Sequence, residues 1–395
     1  MRRTLLCWAL AVGLLFVPAW PAPKLHTGAY VQDVTATSAV VALIEAEPRA
    51  LEVLLTADGE PQRRLGASAR RRHALRFEGL TPAKSYRYEI LDSAQRLVDA
   101  GGLRTYPAEP NAAISFCVVG DSGALPPWVW MQEAPAVQAL DALGLLPGSS
   151  ENSRIGAAMA ALHPDLWLHV GDMIYPHGEE RHAREAFFRP FAELLKHSPC
   201  YAVLGNHDLG GSEEERYQDQ GRPLLRHLVL PRGKTTGDSR CYSFACGPVR
   251  FIALDLNFVI TQDHPSLVHL ERELAAAKEP WRIAFSHYPL WSGSRQRDRA
   301  DLLKSVRPLL EKSKVAVVFA GHDHVYQRFV SPSGMVQVTS GGGGKSLYSL
   351  EPHALCKAEA SSFHFCHVTV AGDKLTLRAL TASGQVLDEF TLNKP

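Results

Sequence analysis

No excess of either charge runs through this chain: 42 lysines and arginines face 41 aspartates and glutamates across 395 residues. That balance excludes a broad attraction to nucleic acid or to an anionic membrane, so any affinity for anions has to be local. Past the N-terminal stretch there is no apolar run long enough to cross a bilayer. Internal repeats and low-complexity tracts are missing, which excludes a repeat architecture. Helical periodicity is missing from Tyr30 to Thr105, which excludes a helical first domain. What is present is 46% hydrophobic and 21% charged residues, enough to bury a large core and to divide into two domains.

The N-terminus, "MRRTLLCWALAVGLLFVPAW", places Arg2 and Arg3 before an apolar stretch from Leu5 to Val17 and a Pro/Ala-rich exit. The stretch is short for a membrane span, and Val17 with Ala19 suits signal-peptidase cleavage. Residues 1–22 are therefore expected to be a signal peptide, and the mature protein to be secreted, periplasmic or otherwise extracytoplasmic, without a membrane contact of its own. Removing Cys7 with the signal leaves Cys117, Cys200, Cys241, Cys246, Cys356 and Cys366. In an oxidising compartment the close pairs Cys241/Cys246 and Cys356/Cys366 are the simplest disulfide expectation; Cys117, inside "ISFCVVG", also reads as a small buried hydrophobe.

The chain changes character near residue 107. Before it, alternating stretches such as "SAVVALIEA", "LEVLLTA", "HALRFEGL" and "SYRYEIL" predict an all-β sandwich over residues 27–106. "TYPAEPNAA" then reads as a Pro-rich linker. From residue 112 to 395, strand-length apolar runs ("ISFCVVG", "DLWLHVG", "CYAVLG", "VRFIALD", "WRIAFS", "VAVVFAG") alternate with stretches of helical period ("REAFFRPFAELLKH", "RADLLKSVRPLLEKS"). The expected fold is an α/β domain following the N-terminal sandwich.

In such sheets ligands bind beyond the carboxyl ends of strands. The residues just past the runs are "GDSG" (120–123), "GDMIYPHG" (171–178), "GNHD" (205–208), "SHYPLW" (286–291) and "GHDHVYQR" (321–328). Each carries metal-capable side chains, commonly after a glycine that allows a tight turn. The candidates are Asp121, Asp172, Tyr175, Asn206, His287, His322 and His324, oxygen and nitrogen donors in sufficient number for two ions. His322 and His324, two apart, would face the same side if the strand continued, with Asp323 turned away.

Taken in order, these motifs resemble the calcineurin-like metallophosphoesterase superfamily and, within it, the purple acid phosphatase family, over residues 120–328. The resemblance implies an α/β catalytic domain built as a metallophosphatase β-sandwich flanked by helices; that family commonly carries a fibronectin type III-like domain before it, and "GLTPAKSYRYEI" resembles the corner of a fibronectin type III or immunoglobulin-like domain. The resemblance implies that Asp121, Tyr175 and His324 hold Fe(III), that Asn206, His287 and His322 hold a divalent Zn, Mn or Fe, and that Asp172 bridges them. A phenolate favours a trivalent ion, which acidifies bound water more than Zn(II) does, so an acid optimum is expected; a packing role for Tyr175 in a divalent-metal phosphoesterase is the alternative. The resemblance also turns His207 toward substrate, to stabilise phosphate charge or protonate the leaving alcohol; its other reading is a histidine that orients Asn206.

One departure matters. Many family members have a histidine about nine residues past the "SHYP" histidine, and here Gln296 stands there between Arg295 and Arg297. His177 or Arg295 is then expected to take part of that role, against a supporting position for His177 and a solvated surface for Arg295. "TSGGGGKS" (339–346) does not open an apolar helix and is not a nucleotide-binding loop; it reads as a turn near the site whose amides face phosphate. The long segment 123–153, with Trp128 and Trp130, is either a lid over the site or packing against the first domain. The expected function is phosphomonoester hydrolysis, an acid phosphatase acting on a small phosphoester by in-line attack of metal-bound hydroxide. A phosphodiesterase is the alternative, and a non-catalytic adhesion or binding protein on this scaffold is disfavoured because the seven-donor set has no gap.

Overall fold

The computed structural model of the chain describes residues 25–131, 134–142, 145, 150–210, 220–233, 237, 239–261 and 263–394. The expected signal peptide lies outside these residues. No helix among them is long and apolar enough to cross a membrane.

Five strands build the N-terminal part: β1 (Tyr30–Gln32), β2 (Ser38–Thr56), β3 (Arg63–Glu78), β4 (Ser85–Asp92) and β5 (Leu97–Arg104). Alternation in β4 buries Tyr86, Tyr88 and Ile90 and leaves Ser85, Arg87 and Glu89 outside, as a half-buried strand requires. "SAVVALIEA" and "LEVLLTA", expected as separate strands, are one: β2 runs through Pro48, and its pairing with β3 slips between Ile44 and Arg49 and again before Leu51. Pro48 lacks a ladder N–H, and the irregular step accommodates it. The first half of β2 pairs with β1 and the second half with β4, so one long strand serves both ends of the sheet.

The remaining strands are β6 (Ile114–Val119), β7 (Leu166–His169), β8 (Cys200–Ala202), β9 (Tyr242–Cys246), β10 (Val249–Ala253), β11 (Trp281–Phe285), β12 (Val317–Ala320), β13 (Tyr326–Val330), β14 (Val336–Ser340), β15 (Cys356–Ala360), β16 (Phe365–Ala371), β17 (Lys374–Leu380) and β18 (Val386–Asn393). They form two mixed sheets, ordered β18-β17-β16-β6-β7-β8 and β15-β13-β14-β12-β11-β10-β9. β6, β7 and β8 are parallel in the first; β10, β11, β12 and β14 are parallel in the second. The sheets meet through rings: Phe116 of β6 packs edge-on against Phe251 of β10 at 5.1 Å and Phe319 of β12 at 6.1 Å. Each such buried phenylalanine contributes roughly 1.5–3 kcal/mol by leaving water.

Helices cover the outer faces. Pro265–Ala276 turns Leu267, Leu270 and Leu274 inward at three- and four-residue steps, onto a cluster with Ile252, Ala284 and Val318. The two stretches expected as single helices are each broken. "REAFFRPFAELLKH" becomes a short π-turn, Arg184–Phe188, and a turn of α-helix, Ala192–Leu195, and "RADLLKSVRPLLEKS" becomes Ala300–Ser305 and Arg307–Lys312. Pro190 and Pro308 cause the breaks, since each removes an N–H and crowds the preceding turn.

The disulfide expectation is overturned: none of Cys117, Cys200, Cys241, Cys246, Cys356 and Cys366 is joined in a disulfide. Cys246 ends β9 and Cys241 immediately precedes it, so an extended run of chain holds them apart; Cys356 and Cys366 belong to different sheets. Burial pushes the Cys366 thiol up to about 12.

Candidate metal centre

Five parallel strands deliver the donors at their carboxyl ends: β6 leads to Asp121, β7 to Asp172 and Tyr175, β8 to Asn206, β11 to His287 and β12 to His322 and His324. Three of them sit in the left-handed region, Asp121 at φ 55°, Asp172 at φ 57° and His322 at φ 68°. Non-glycine residues rarely adopt it, and the clustering here marks backbone held in place by its surroundings. Expecting the two histidines to share a face through strand alternation was wrong, because β12 ends at Ala320 and the left-handed turn at His322 aims both rings inward. Gly205 is needed where it stands, because a β-carbon there would collide with the Asp172 carboxylate.

All seven candidates converge, and they fall into two groups. On one side the Tyr175 hydroxyl stands 3.4 Å from Asp121 Oδ1 and 3.1 Å from His324 Nε2. On the other, Asn206 Oδ1 stands 3.1 Å from His287 Nε2 and 3.2 Å from His322 Nδ1. Asp172 touches both groups: Oδ2 accepts from the Tyr175 hydroxyl at 2.8 Å, and Oδ1 lies 3.5 Å from His287 Nε2. Ligand atoms of Asp121, Asp172 and His324 all lie within 4.8 Å of one another, as a metal site requires.

Backbone carbonyls fix which imidazole nitrogen is free. His287 Nδ1 donates to Val170 O at 2.8 Å and His324 Nδ1 donates to Ser346 O at 2.6 Å, leaving each Nε2 as a lone-pair donor facing the cluster. The His322 imidazole is pushed down to about 3 by burial, with His287 adding to it, so it is neutral, as a ligand must be. The acids show what the cluster wants. Burial raises the Asp121 carboxyl; Asp172 bears the same penalty yet lies below its ordinary value because His287 and His207 stand beside it. Burial, then Asp172 and Asp121, drive the Tyr175 phenol well above its ordinary range, so only a strong cation would ionise it. Two buried carboxylates and a phenol at these separations fit a metal centre.

His207 lies against Tyr175, ring centroids 4.4 Å apart, and Nδ1 donates to Pro176 O at 2.6 Å. Its amide donates to Asp172 Oδ1 at 2.9 Å, so the residue anchors that carboxylate, and its half-buried ring makes no Nε2 hydrogen bond among the described residues. Arg295 is exposed but joined to the site: its guanidinium lies 3.9 Å over the Tyr348 ring, and Tyr348 stacks on His324 at 4.1 Å. His177 fares less well. Its amide donates to Glu179 Oε2 at 3.1 Å, and its imidazole makes no hydrogen bond among the described residues.

Three side chains escaped the sequence reading. Asp208 is buried and accepts from the amides of Met173, Ile174 and Gly205 at 2.8, 3.0 and 2.9 Å, tying the Asp172 loop to the Asn206 loop. Tyr348 and Lys345 arrive together in the segment after β14. Two amides of the glycine run before them are taken up within the chain rather than turned to phosphate: those of Gly341 and Gly343 go to Val325 O and Gly120 O. Its glycines instead let backbones meet, since a β-carbon at Gly341 would strike the Asp323 carbonyl. Within the segment 123–153, Trp128 lies under the Arg189 guanidinium at 5.8 Å and Trp130 meets the His182 ring at 5.4 Å. Both contacts are with the catalytic part of the chain.

Comparison with known proteins agrees with this geometry. The model of the calcineurin-like phosphoesterase family matches residues 114–326. Tartrate-resistant acid phosphatase type 5 of Mus musculus is 28% identical over 325 residues, covering 73% of this chain and 93% of the mouse protein. Purple acid phosphatase 4 of Arabidopsis thaliana is 26% identical over 308 residues, covering 72% of this chain and 85% of the plant protein. The structure of purple acid phosphatase PPD1 from yellow lupin (Lupinus luteus) seeds shares the fold with a TM-score of 0.76 at 17% identity, over 94% of this chain and 75% of that one. The chain belongs to the calcineurin-like phosphoesterase family and is a purple acid phosphatase-like metallophosphoesterase.

Proposed function

We propose that this protein is an acid phosphatase that hydrolyses phosphomonoesters at a two-ion centre. Asp121, Tyr175 and His324 would hold Fe(III), Asn206, His287 and His322 a divalent Zn, Mn or Fe, and Asp172 would be shared. When bound, such a pair supplies Lewis-acid charge to the phosphoryl oxygens and a nucleophile in mildly acidic solution. The observation that carries the reading is the division of Asp172, one oxygen on Tyr175 and the other facing His287. His207, held by Pro176 O at Nδ1, keeps Nε2 for the leaving-group oxygen, where it can stabilise charge or deliver a proton. Arg295, seated on Tyr348, supplies positive charge beside the His324 half, the place left by Gln296. Export to an extracytoplasmic compartment belongs to the same proposal, supported by Arg2, Arg3 and the apolar stretch after them. The sandwich before residue 107 would be the fibronectin-like domain of that family.

Elemental analysis with a visible spectrum, and turnover of p-nitrophenyl phosphate against bis(p-nitrophenyl) phosphate, test this. The expected results are iron with a second metal, a broad visible band that Tyr175→Phe abolishes, and preference for the monoester at acidic pH. A colourless, iron-free protein fully active with Zn or Mn would leave a general metallophosphoesterase; a preference for the diester would make it a phosphodiesterase.

A further inference from the structure

The segment after β14 is stitched into the site by its backbone. Gly341 N donates to Val325 O at 3.2 Å, Gly343 N to Gly120 O at 3.0 Å and Lys345 N to Asp121 O at 3.1 Å. These bonds carry the chain between the Asp121 loop and the His322–His324 loop, and the glycines are what allow it to pass so close to both. Lys345 therefore starts from a fixed point beside Asp121. Its ammonium lies 4.7 Å from the centroid of the Tyr175 ring, and the residue is half-buried.

What this lysine lacks is a carboxylate partner: among the described residues none lies within ion-pair distance. A cation over a ring is a weak contact and leaves the N–H donors of the ammonium unused. Asp121 and Asp172 face the donor cluster with both oxygens engaged. Three residues on, Tyr348 carries the Arg295 guanidinium over its ring. Two cations thus stand beside the cluster, Lys345 over the donor Tyr175 and Arg295 over Tyr348, which stacks on the donor His324.

We propose that Lys345 is a substrate-binding residue: its ammonium, seated over Tyr175, takes a non-bridging oxygen of the phosphoryl group. The assignment rests on the phosphatase reading above and deepens it toward substrate class. A phosphomonoester brings a second negative charge that a diester lacks, and a compact ammonium rewards that charge without demanding a particular leaving group. Lys345 is therefore a determinant of monoester preference.

The test uses the full chain with its metals, and the variants Lys345→Gln and Lys345→Arg. Lys345→Gln is expected to weaken binding of inorganic phosphate, followed by calorimetry, about tenfold or more, and to lower kcat/KM for p-nitrophenyl phosphate by a similar factor. The bis(p-nitrophenyl) phosphate value should fall much less, with metal content and melting temperature unchanged, and Lys345→Arg should recover part of the loss. Equal losses on both esters, or unchanged phosphate affinity, would overturn the assignment. Loss of metal or of fold in Lys345→Gln would also overturn it, by making Lys345 a support of the loop. If the wild type turns over neither ester, the phosphatase reading fails separately, while phosphate calorimetry still decides the role of Lys345.

Discussion

Asp208 shows how much a single carboxylate can do without touching an ion. Its oxygens accept three amides from two loops, and those loops present Asp172, Tyr175, Asn206 and His207. Asp208→Asn replaces one acceptor oxygen with an amide group that faces N–H donors. The expected loss is about 1–3 kcal/mol of stability, with reduced metal content and turnover. A denaturant midpoint and metal stoichiometry equal to wild type would show that the loops hold themselves. The sequence quoted Asp208 inside "GNHD" without finding this role, because a carboxylate written in a motif does not say whether its oxygens face a cation or the backbone. Tyr175, Asp172 and the three histidines were legible for the opposite reason: each follows an apolar run, and strand ends in such sheets converge.

At the scale of elements, the strands of the catalytic part were read from their apolar runs, and the helices were read too long. Helical period survives a proline on paper, but Pro190 and Pro308 break the hydrogen-bond ladder. The helix Ala300–Ser305 has a further duty. Asp301 in its first turn accepts from Arg299 Nε and Nη2, at 2.8 and 2.7 Å, and from the Ile260 amide at 3.0 Å, while Arg299 lies 4.8 Å over Tyr288, which packs on His322. The Arg299 hydrogen bonds hold the Asp301 carboxyl down at about 2, from an ordinary 3.8. Because the folded value lies below the unfolded one, its contribution is complete above the unfolded value and is lost as pH falls toward the folded one. Asp301→Asn should therefore lower the urea midpoint near neutrality and close the gap with wild type between 3.8 and about 2. A gap that stays constant across that window would remove the ion pair as its cause.

For the whole molecule, the reading of two bodies joined by a Pro-rich linker missed how closely they are fastened. Tyr106, within that stretch, is buried and donates to the Tyr201 hydroxyl at 3.1 Å, and Tyr201 donates to Val34 O at 3.0 Å. Tyr30 donates to His227 O at 2.7 Å and Tyr88 to Lys196 O at 3.0 Å, and one apolar core runs through both parts. Partners separated by 95 to 197 residues leave no periodic trace, so the sequence pattern alone does not show that these tyrosines fasten the two parts together.

Asp121, Asp172, Tyr175 and Asn206 follow strands of the six-stranded sheet, while His287, His322 and His324 follow strands of the seven-stranded one. Each group of donors draws on both, so an ion in either group would span the seam like a rivet, and sliding of one sheet over the other would stretch its bonds. Binding free energy then becomes resistance to shear along one edge of the sandwich. Stripping the ions with a chelator should lower the melting temperature of the whole catalytic part in a single transition and restore it on re-addition, followed by calorimetry. A melting temperature indifferent to the chelator would mean that the phenylalanine contacts between the sheets hold that edge without help.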